Sequence, residues 1–392
     1  MPTNPDYGPP SGSAELRVYS ENVGQSFVIP AADMQRSLDR MGIDTIRLLR
    51  AEGKQQAGLF FYRMGQWFGG RVVPSWGIAG VVVAPQARSS GAGLRLMREL
   101  LLEARGAGVA LSSLYPATQP VYRKAGYEVA GSRTGYKLPV AAITLREKGA
   151  EVRPATDADR ALYAKLYAER AKSNSGMLER DKALWGRLEG TPENPTYHYV
   201  IEEDGKPTGY FIFSQKRAVF PLADYTVMDH CTLTPVAARR MLAFFASHWS
   251  TGDNLVMFGA PLEPVLLHLA EQKAKVDTRW DWMLRIVDLQ KALEARGYPD
   301  GATAKLEFAI EDDVLADNAG KWTLEVSSGK SQLIRGGKGR IKLHIRALAP
   351  LYSGALSPAA LVRLGWLDAP EEDLGVLAAV FAGSSPWMMD FF

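Results

Sequence analysis

The sequence predicts two mixed α/β units in tandem, followed by a smaller α+β unit. Three observations carry that expectation. The chain has 392 residues, too many for one ordinary hydrophobic core. Strand-like and helix-like stretches alternate over 15–145, and the same alternation returns in diverged form over 146–296. Over 297–392, strands that alternate apolar and polar residues give way to helices, the pattern of an antiparallel sheet with one wet face.

Composition narrows the class. With 46% hydrophobic and 23% charged residues, the chain reads as a soluble globular protein rather than a disordered one. A net charge of +3 implies no strong field for a polyanion, so no nucleic-acid partner is expected. The one cysteine, Cys231, excludes an internal disulfide framework and fits a reducing cytoplasm. Its own reading is a small buried hydrophobe in a strand. His198, His230, His248, His268 and His344 show no pair at metal-ligand spacing, so no metal is expected. No apolar run is long enough to span a bilayer, and no membrane partner is expected. No basic-then-apolar leader opens the chain. Residues 1–14, rich in Pro, Gly and Ser, are expected to form a flexible tail. Walker, GxSxG and kinase signatures are all missing.

The elements follow in order. Ala31 to Met41 reads as a helix with a polar face, and Thr45 to Ala51 and Gln56 to Met64 as strands. Ile78 to Val83 is a nearly continuous apolar run, expected for a strand buried on both faces. After Pro85, Gly91 to Arg105 has Leu94, Met97 and Leu101 at helical spacing. Val109 to Leu114 is a further strand, Pro120 to Lys124 a short helix and Tyr127 to Val140 a returning strand. The second unit opens with an acidic helix start after Thr156. Strands at His198 to Glu202 and Gly209 to Ser214 flank an Asp204-Gly205 turn. Strand Tyr225 to Leu233, a helix from Val236, strand Leu255 to Phe258, a helix through Leu266 and Leu269, and strand Trp282 to Leu289 then echo the first unit. In the third unit, Lys305 to Ile310, Trp322 to Val326 and Ile341 to Ile345 read as strands, with a hairpin turn at Gly336-Gly337. Ser357 is a candidate cap for a helix to Leu364, and a last helix carries Leu374, Leu377, Val380 and Phe381. The apolar, aromatic end Trp387 to Phe392 suggests a docked terminus.

The sharpest constellation is Val81-Val82-Val83-Ala84-Pro85-Gln86-Ala87-Arg88-Ser89-Ser90-Gly91-Ala92-Gly93-Leu94. A buried strand ends, a turn of small residues follows and a long helix begins. Small residues let backbone N–H groups crowd around a phosphate, the helix dipole favours the anion, and Arg88 adds a charged contact. That arrangement suits a pyrophosphate. Taken alone, a glycine pair this short fits an ordinary strand-to-helix loop as well.

This run resembles the acetyl-CoA loop of the GNAT superfamily of N-acetyltransferases, R/Q-x-x-G-x-G/A after a strand, with Arg88, Gly91 and Gly93 matching. The stretch Pro120-Val121-Tyr122-Arg123-Lys124-Ala125-Gly126-Tyr127 resembles the second motif of that superfamily, a Tyr-bearing helix followed by Gly and an aromatic. One GNAT unit, a degenerate second one and an α+β domain similar to sterol carrier proteins make up the layout of the Eis (enhanced intracellular survival) family. Trp282 to Asp288 through Arg296-Gly297-Tyr298 is similar to that family's bridge into its third domain. The resemblance implies acetyl-CoA as co-substrate and transfer to amines of a cationic small molecule such as an aminoglycoside. It further implies Tyr122 as general acid and the terminal carboxylate of Phe392 as base. Val81 and Val83 would contact the pantetheine, Arg88, Ser89, Gly91 and Gly93 the pyrophosphate, and Leu94 completes the set. Tyr115 stands where the family often has His. A hexamer and a cytoplasmic location are likewise family expectations.

The chemistry is consistent with these roles. A phenol of pKa about 10 can protonate the departing thiolate, and the N–H of Val83 would suit the developing oxyanion. A free α-carboxylate has a pKa of roughly 3.3–3.7, and apolar burial would raise it toward useful basicity; a bridging water could share the task. Asp390 could attract a polycation or simply be solvated. The copied segment Leu233-Thr234-Pro235-Val236-Ala237-Ala238-Arg239-Arg240 has no glycine, and Leu266 falls at the place of Tyr122, so the second unit is expected to be structural. Lysine or peptide acetylation remains an alternative substrate class. A lipid carrier, suggested by the third domain, remains an alternative of another kind, because fold does not fix function.

Overall fold

The computed structural model describes residues 6–392. One 13-stranded sheet is shared by the two α/β units, and a 5-stranded sheet forms the third unit. In the first unit, Ile46–Ala51, Lys54–Phe68 and Arg71–Val83 form an antiparallel meander. Helix Ala92–Gly106 then crosses over, and Leu111–Leu114 lies parallel to Arg71–Val83. The second unit repeats this order with Thr196–Glu203, Lys206–Arg217, Ala223–Thr232, helix Pro235–Ala246 and the parallel strand Gly252–Gly259. The expected helix through Leu266 and Leu269 is only a 3-10 turn, Pro264–His268.

The two units exchange their last strands. Lys275–Ile286, late in the second unit, pairs with Leu111–Leu114 of the first. Glu128–Pro139 of the first unit pairs with Gly252–Gly259 of the second. The two exchanged strands also pair with each other. The strand from Trp282 therefore does not close the second unit alone. Apolar alternation shows that a strand is buried, but it does not say which edge receives it.

The N-terminal stretch differs from its expectation. Met1 to Pro5 lie outside the described residues. Tyr7 and Gly8 pair with Leu49 and Leu48, and Tyr7 Oη donates to Glu103 at 2.6 Å. A helix missing from the sequence reading, Ser13–Phe27, follows at once and buries Tyr19 and Val23. The Pro-, Gly- and Ser-rich run obscures its start, and only Leu16, Tyr19 and Val23 mark its inner face.

The third unit has the strand order Lys330–Arg335, Gly320–Ser327, Ala304–Glu311, Ile341–His344, Leu367–Asp368. It is not wholly antiparallel, because Ala304–Glu311 and Ile341–His344 run parallel. Its hairpin turns at Ser328-Gly329, both left-handed, whereas Gly336-Gly337 follow the strand Lys330–Arg335. Ser357 caps its helix as expected, accepting from the Ala360 amide at 3.2 Å. An unexpected helix, Ile345–Ser353, packs onto both exchanged strands and fastens the third unit to the large sheet. Among the described residues no helix is long and apolar enough to cross a membrane.

Candidate active site

The site lies where two parallel strands part. Arg71–Val83 and Leu111–Leu114 pair from Ser75/Leu111 to Ile78/Leu114 and no further. Beyond Ile78 the first strand continues with one edge open. A bulge at Gly80, left-handed at φ 58°, bends it there, and Tyr19 Oη donates to the Gly80 carbonyl at 2.9 Å. The Ala84 amide donates to the Gln56 carbonyl at 2.8 Å. Because antiparallel bonding alternates residue by residue, the neighbouring Val83 turns its N–H to the open edge. An extended chain of amides and carbonyls, such as a pantetheine arm, fits against such an edge.

The loop after this strand has the conformation its small residues permit. Ser89 (φ 65°) and Gly91 (φ 81°) are both left-handed. Gly91 heads the 15-residue helix Ala92–Gly106 and has no side chain to cap it; among the first amides the Ala92 N–H donates to the Ser90 hydroxyl at 3.3 Å. A Cβ built on Gly91 would meet nothing within 4 Å, so the space above it is open. On Gly93 a Cβ would come 3.3 Å from Val83 Cγ2, which is why the helix start can lie close to the strand. Arg88 is exposed beside this cradle, and Val81, Val83 and Leu94 are half-buried against the cluster behind the helix. Converging amides, a helix N-terminus and a free guanidinium suit a pyrophosphate.

Tyr122 and Phe392 flank the sheet from opposite faces. Alternate residues of Lys54–Phe68 divide between two hydrophobic clusters. Leu59 and Phe61 join the one that holds Tyr122, and Phe60, Tyr62 and Met64 join the one that holds Phe392. Tyr122 is 6% exposed, and burial pushes its phenol up to about 12. The neighbouring Tyr127 is held by Ser112 at 2.8 Å, whereas no hydrogen bond engages the Tyr122 hydroxyl among the described residues.

The C-terminus is docked on the other face. Trp387 forms a parallel bridge with Ser132, Arg133 Nε donates to the Met389 carbonyl at 2.7 Å, and Tyr115 Oη donates to the Asp390 carbonyl at 2.8 Å. The Phe392 ring, 9% exposed, stands edge-on to Tyr62 and Tyr115, each at 5.7 Å. It also covers Gly77, where a Cβ would come 2.8 Å from its Cε2. Strand alternation places the buried, unpartnered Ser113 hydroxyl on this same face. Asp390 does not face substrate. Its carboxylate is buried against Arg180 at 2.9 Å, so neither the solvated nor the polycation reading of it holds. Tyr115 takes part by holding the tail.

Sequence reasoning left the acceptor side of the site unnamed. Tyr62 faces it from one strand, and Arg187 Nη1 donates to the Tyr62 hydroxyl at 3.2 Å from the second unit. Helix Ala31–Met41 contributes Met34 and Leu38 to the cluster and Arg40 to its rim. No local motif marks these residues, because they come from three distant stretches. A cleft of about 1150 Å³, lined by Tyr163, Trp185 and His198, lies in the second unit and includes none of the splayed-strand residues.

Known proteins share this fold and its three-unit layout. Residues 13–130 match an acetyltransferase (GNAT) domain, 176–286 match another, and 289–389 match a sterol carrier protein domain. N-acetyltransferase Eis of Mycobacterium tuberculosis is 24% identical over 339 residues, 80% of each chain. An uncharacterized N-acetyltransferase of Streptomyces griseus is 29% identical over 351 residues, 83% of each chain. The crystal structure of a GCN5-related N-acetyltransferase from Anabaena variabilis superposes with a TM-score of 0.95 at 37% identity, covering 98% of this chain and 99% of that one. The chain belongs to the Eis-like family of GCN5-related N-acetyltransferases.

This Eis-like N-acetyltransferase thus has tandem GNAT units and a sterol-carrier-like third unit, and its fold implies acetyl-CoA as co-substrate. The second unit keeps the shape with a different local geometry. Its strands Ala223–Thr232 and Gly252–Gly259 also part, after Val227/Met257, and Met228 is bulged as Gly80 is. There the gap is bridged, because His230 Nε2 bonds the Phe258 carbonyl at 3.2 Å and Arg170 bonds the His230 carbonyl. Burial and the Arg170 charge hold the His230 pKa well below its ordinary value, so the ring is neutral. Thr234 caps the following helix with its own hydroxyl, leaving no open cradle.

Proposed function

We propose that this enzyme transfers the acetyl group of acetyl-CoA directly to the amine of a small molecule, with Tyr122 as general acid and the Phe392 carboxylate as general base. The observation that carries this reading is the docking of the chain terminus beside the splayed strands, on the face opposite Tyr122. A thioester lying in the gap would have the acceptor on one side and the acid on the other. Val81 and Val83 would hold the pantetheine through their backbone. Arg88, Ser89, Gly91 and Gly93 would hold the pyrophosphate, and Leu94 would pack beside it. The Val83 N–H would meet the developing oxyanion. The amine loses its proton to the Phe392 carboxylate, directly or through a water that the Ser113 hydroxyl is suited to hold. The neutral amine attacks the carbonyl carbon, its nitrogen gives up its extra proton to solvent, the carbon–sulfur bond breaks, and the thiolate takes the Tyr122 proton, which solvent then returns to the phenol.

The family resemblance extends this reading to cationic acceptors such as aminoglycosides, to a hexamer and to a cytoplasmic setting. The arginines around Tyr62 weigh against a polycation. Lysine or peptide acetylation is the other acceptor class. The third unit is read as the support that delivers the tail, not as a lipid carrier, since its helix Ile345–Ser353 is fully engaged with the large sheet. Acetyl-CoA turnover on a panel of amines tests the proposal, with Tyr122→Phe and a deletion of Phe392 beside the wild type. Each variant should lose roughly 10²–10⁴ in kcat. Full activity in both would refute the assignment.

A further inference from the structure

We infer that Arg40 and Arg187 form an anion-binding subsite, and that the acceptor is an amine carrying a carboxylate or phosphate a few bonds from its nitrogen. This rests on the proposed acetyl transfer and names its substrate class. The two guanidiniums come from different units. Arg40 lies in the last turn of helix Ala31–Met41, and Arg187 follows helix Lys182–Trp185, which packs against that helix. The Arg40 stem reaches the residue before Arg187, for a Cβ on Gly186 would lie 3.4 Å from Arg40 Cδ.

Acids nearby are already engaged. Asp33 pairs with Arg36, Asp44 pairs with Arg63 at 2.8 Å, Asp39 accepts from Gln35 at 2.7 Å, and Asp390 is buried against Arg180. Among the described residues neither Arg40 nor Arg187 has a carboxylate within ion-pair distance. Arg40 reaches only the Ser37 hydroxyl, at 3.4 Å, and Arg187 reaches only the Tyr62 hydroxyl. Neighbouring guanidiniums without a counter-ion repel each other, and burial together with Arg187 lowers the Arg40 pKa. A bound anion removes that repulsion and accepts their donors in bidentate geometry.

The subsite stands next to the reacting centre. Arg187 touches Tyr62, and the Tyr62 ring stands edge-on to Phe392. An anion held by the arginines therefore directs a short amine toward the Phe392 carboxylate. The same two charges favour the neutral form of that amine, which is the nucleophilic one. They oppose a polyammonium acceptor at every added charge.

The test uses matched probes with the full-length enzyme. β-Alanine supplies a carboxylate and O-phosphoethanolamine a phosphate. β-Alaninamide and ethanolamine are their uncharged counterparts, and kanamycin is a polycation. Turnover is expected to favour an anionic amine over its counterpart. Arg40→Gln/Arg187→Gln should shrink that preference by roughly 10- to 100-fold, mainly through KM, and Arg187→Lys should keep part of it. Whichever of the two anionic probes is preferred identifies the group. Preference for kanamycin, an unchanged ratio, or an equal fall for all amines would overturn the inference; the last would mean that Arg187 merely holds the terminus.

Calorimetry separates this inference from the acetyl-transfer proposal. Saturable binding of β-alanine or O-phosphoethanolamine to CoA-saturated enzyme, abolished in the double variant, supports the subsite even if no amine is acetylated. No binding, or equal binding in both proteins, rejects it. Absence of turnover on every amine rejects the acetyl-transfer reading alone.

Discussion

Arg180 Nε lies 2.9 Å from Asp390 Oδ1, with both side chains withdrawn from solvent, and this pair ties the end of the chain to the second GNAT unit. The other edge of the guanidinium grips Asp229 at 2.6 and 3.1 Å. Burial alone would lower the Arg180 pKa, but the two carboxylates outweigh it and hold it well above its ordinary value. Tyr210 donates to Asp229 Oδ2 at 2.8 Å and Tyr167 to Asp390 Oδ2 at 3.3 Å, each a second donor to an oxygen that Arg180 also reaches. The degenerate unit thus contributes an anchor for the residue two positions before the terminus.

Removing one partner should separate stability from activity. Arg180→Leu strands two buried carboxylates and is expected to destabilise by roughly 3–5 kcal/mol, read by thermal denaturation. Asp390→Asn leaves Asp229 to neutralise Arg180, so the fold should persist while turnover falls at least about tenfold as the tail loosens. Wild-type turnover in Asp390→Asn would show that the ion pair does not position the terminus.

Tyr122→Phe removes a hydroxyl without a protein partner, so its thermal midpoint should match the wild type while kcat collapses. The pH profile gives a second check. A general acid must be protonated, and a phenol raised to about 12 stays so across the working range. The basic limb from this group should therefore appear near pH 12, not near 10. A limb near 10 that vanished in Tyr122→Phe would contradict the burial shown by the structure.

Gly91 is left-handed with open space above it, so a side chain there strains the backbone and fills the cradle. Gly91→Val is expected to raise KM for acetyl-CoA by roughly tenfold or more, with kcat less affected. Equal loss for acetyl-CoA and for a truncated acetyl thioester lacking the pyrophosphate would place the phosphates elsewhere.

Calorimetric titration with CoA should give one equivalent per chain. The gap between Ala223–Thr232 and Gly252–Gly259 is bridged through His230 and Phe258, and its loop lacks a left-handed cradle. Two equivalents would mean that the second unit retains a site.

Local chemistry was legible where a single stretch of chain carries it. The loop from Val81 to Leu94 and the helix bearing Tyr122 have the conformations their residues suggest, since glycine permits φ near 80° and proline starts a short helix. The missing glycine after Leu233 likewise matches a loop with no cradle. The helix Ser13–Phe27 begins within a run of Pro, Gly and Ser that masks its helical spacing, and Ser328-Gly329 is a less conspicuous turn signal than Gly336-Gly337.

The sequence by itself determined the three-unit layout, the glycine-bearing loop between Val81 and Leu94 and the asymmetry between the two GNAT units. These depend on residue type and on separations of a few positions, which set backbone conformation directly. Only the tertiary structure decided that the units exchange strands, that Asp390 is an internal anchor, and that Arg40 and Arg187 stand together by Tyr62. Those contacts join residues more than a hundred positions apart. Side-chain period, charge and hydropathy say that a group will be buried or paired; which partner it meets is set by how the sheets close around the core.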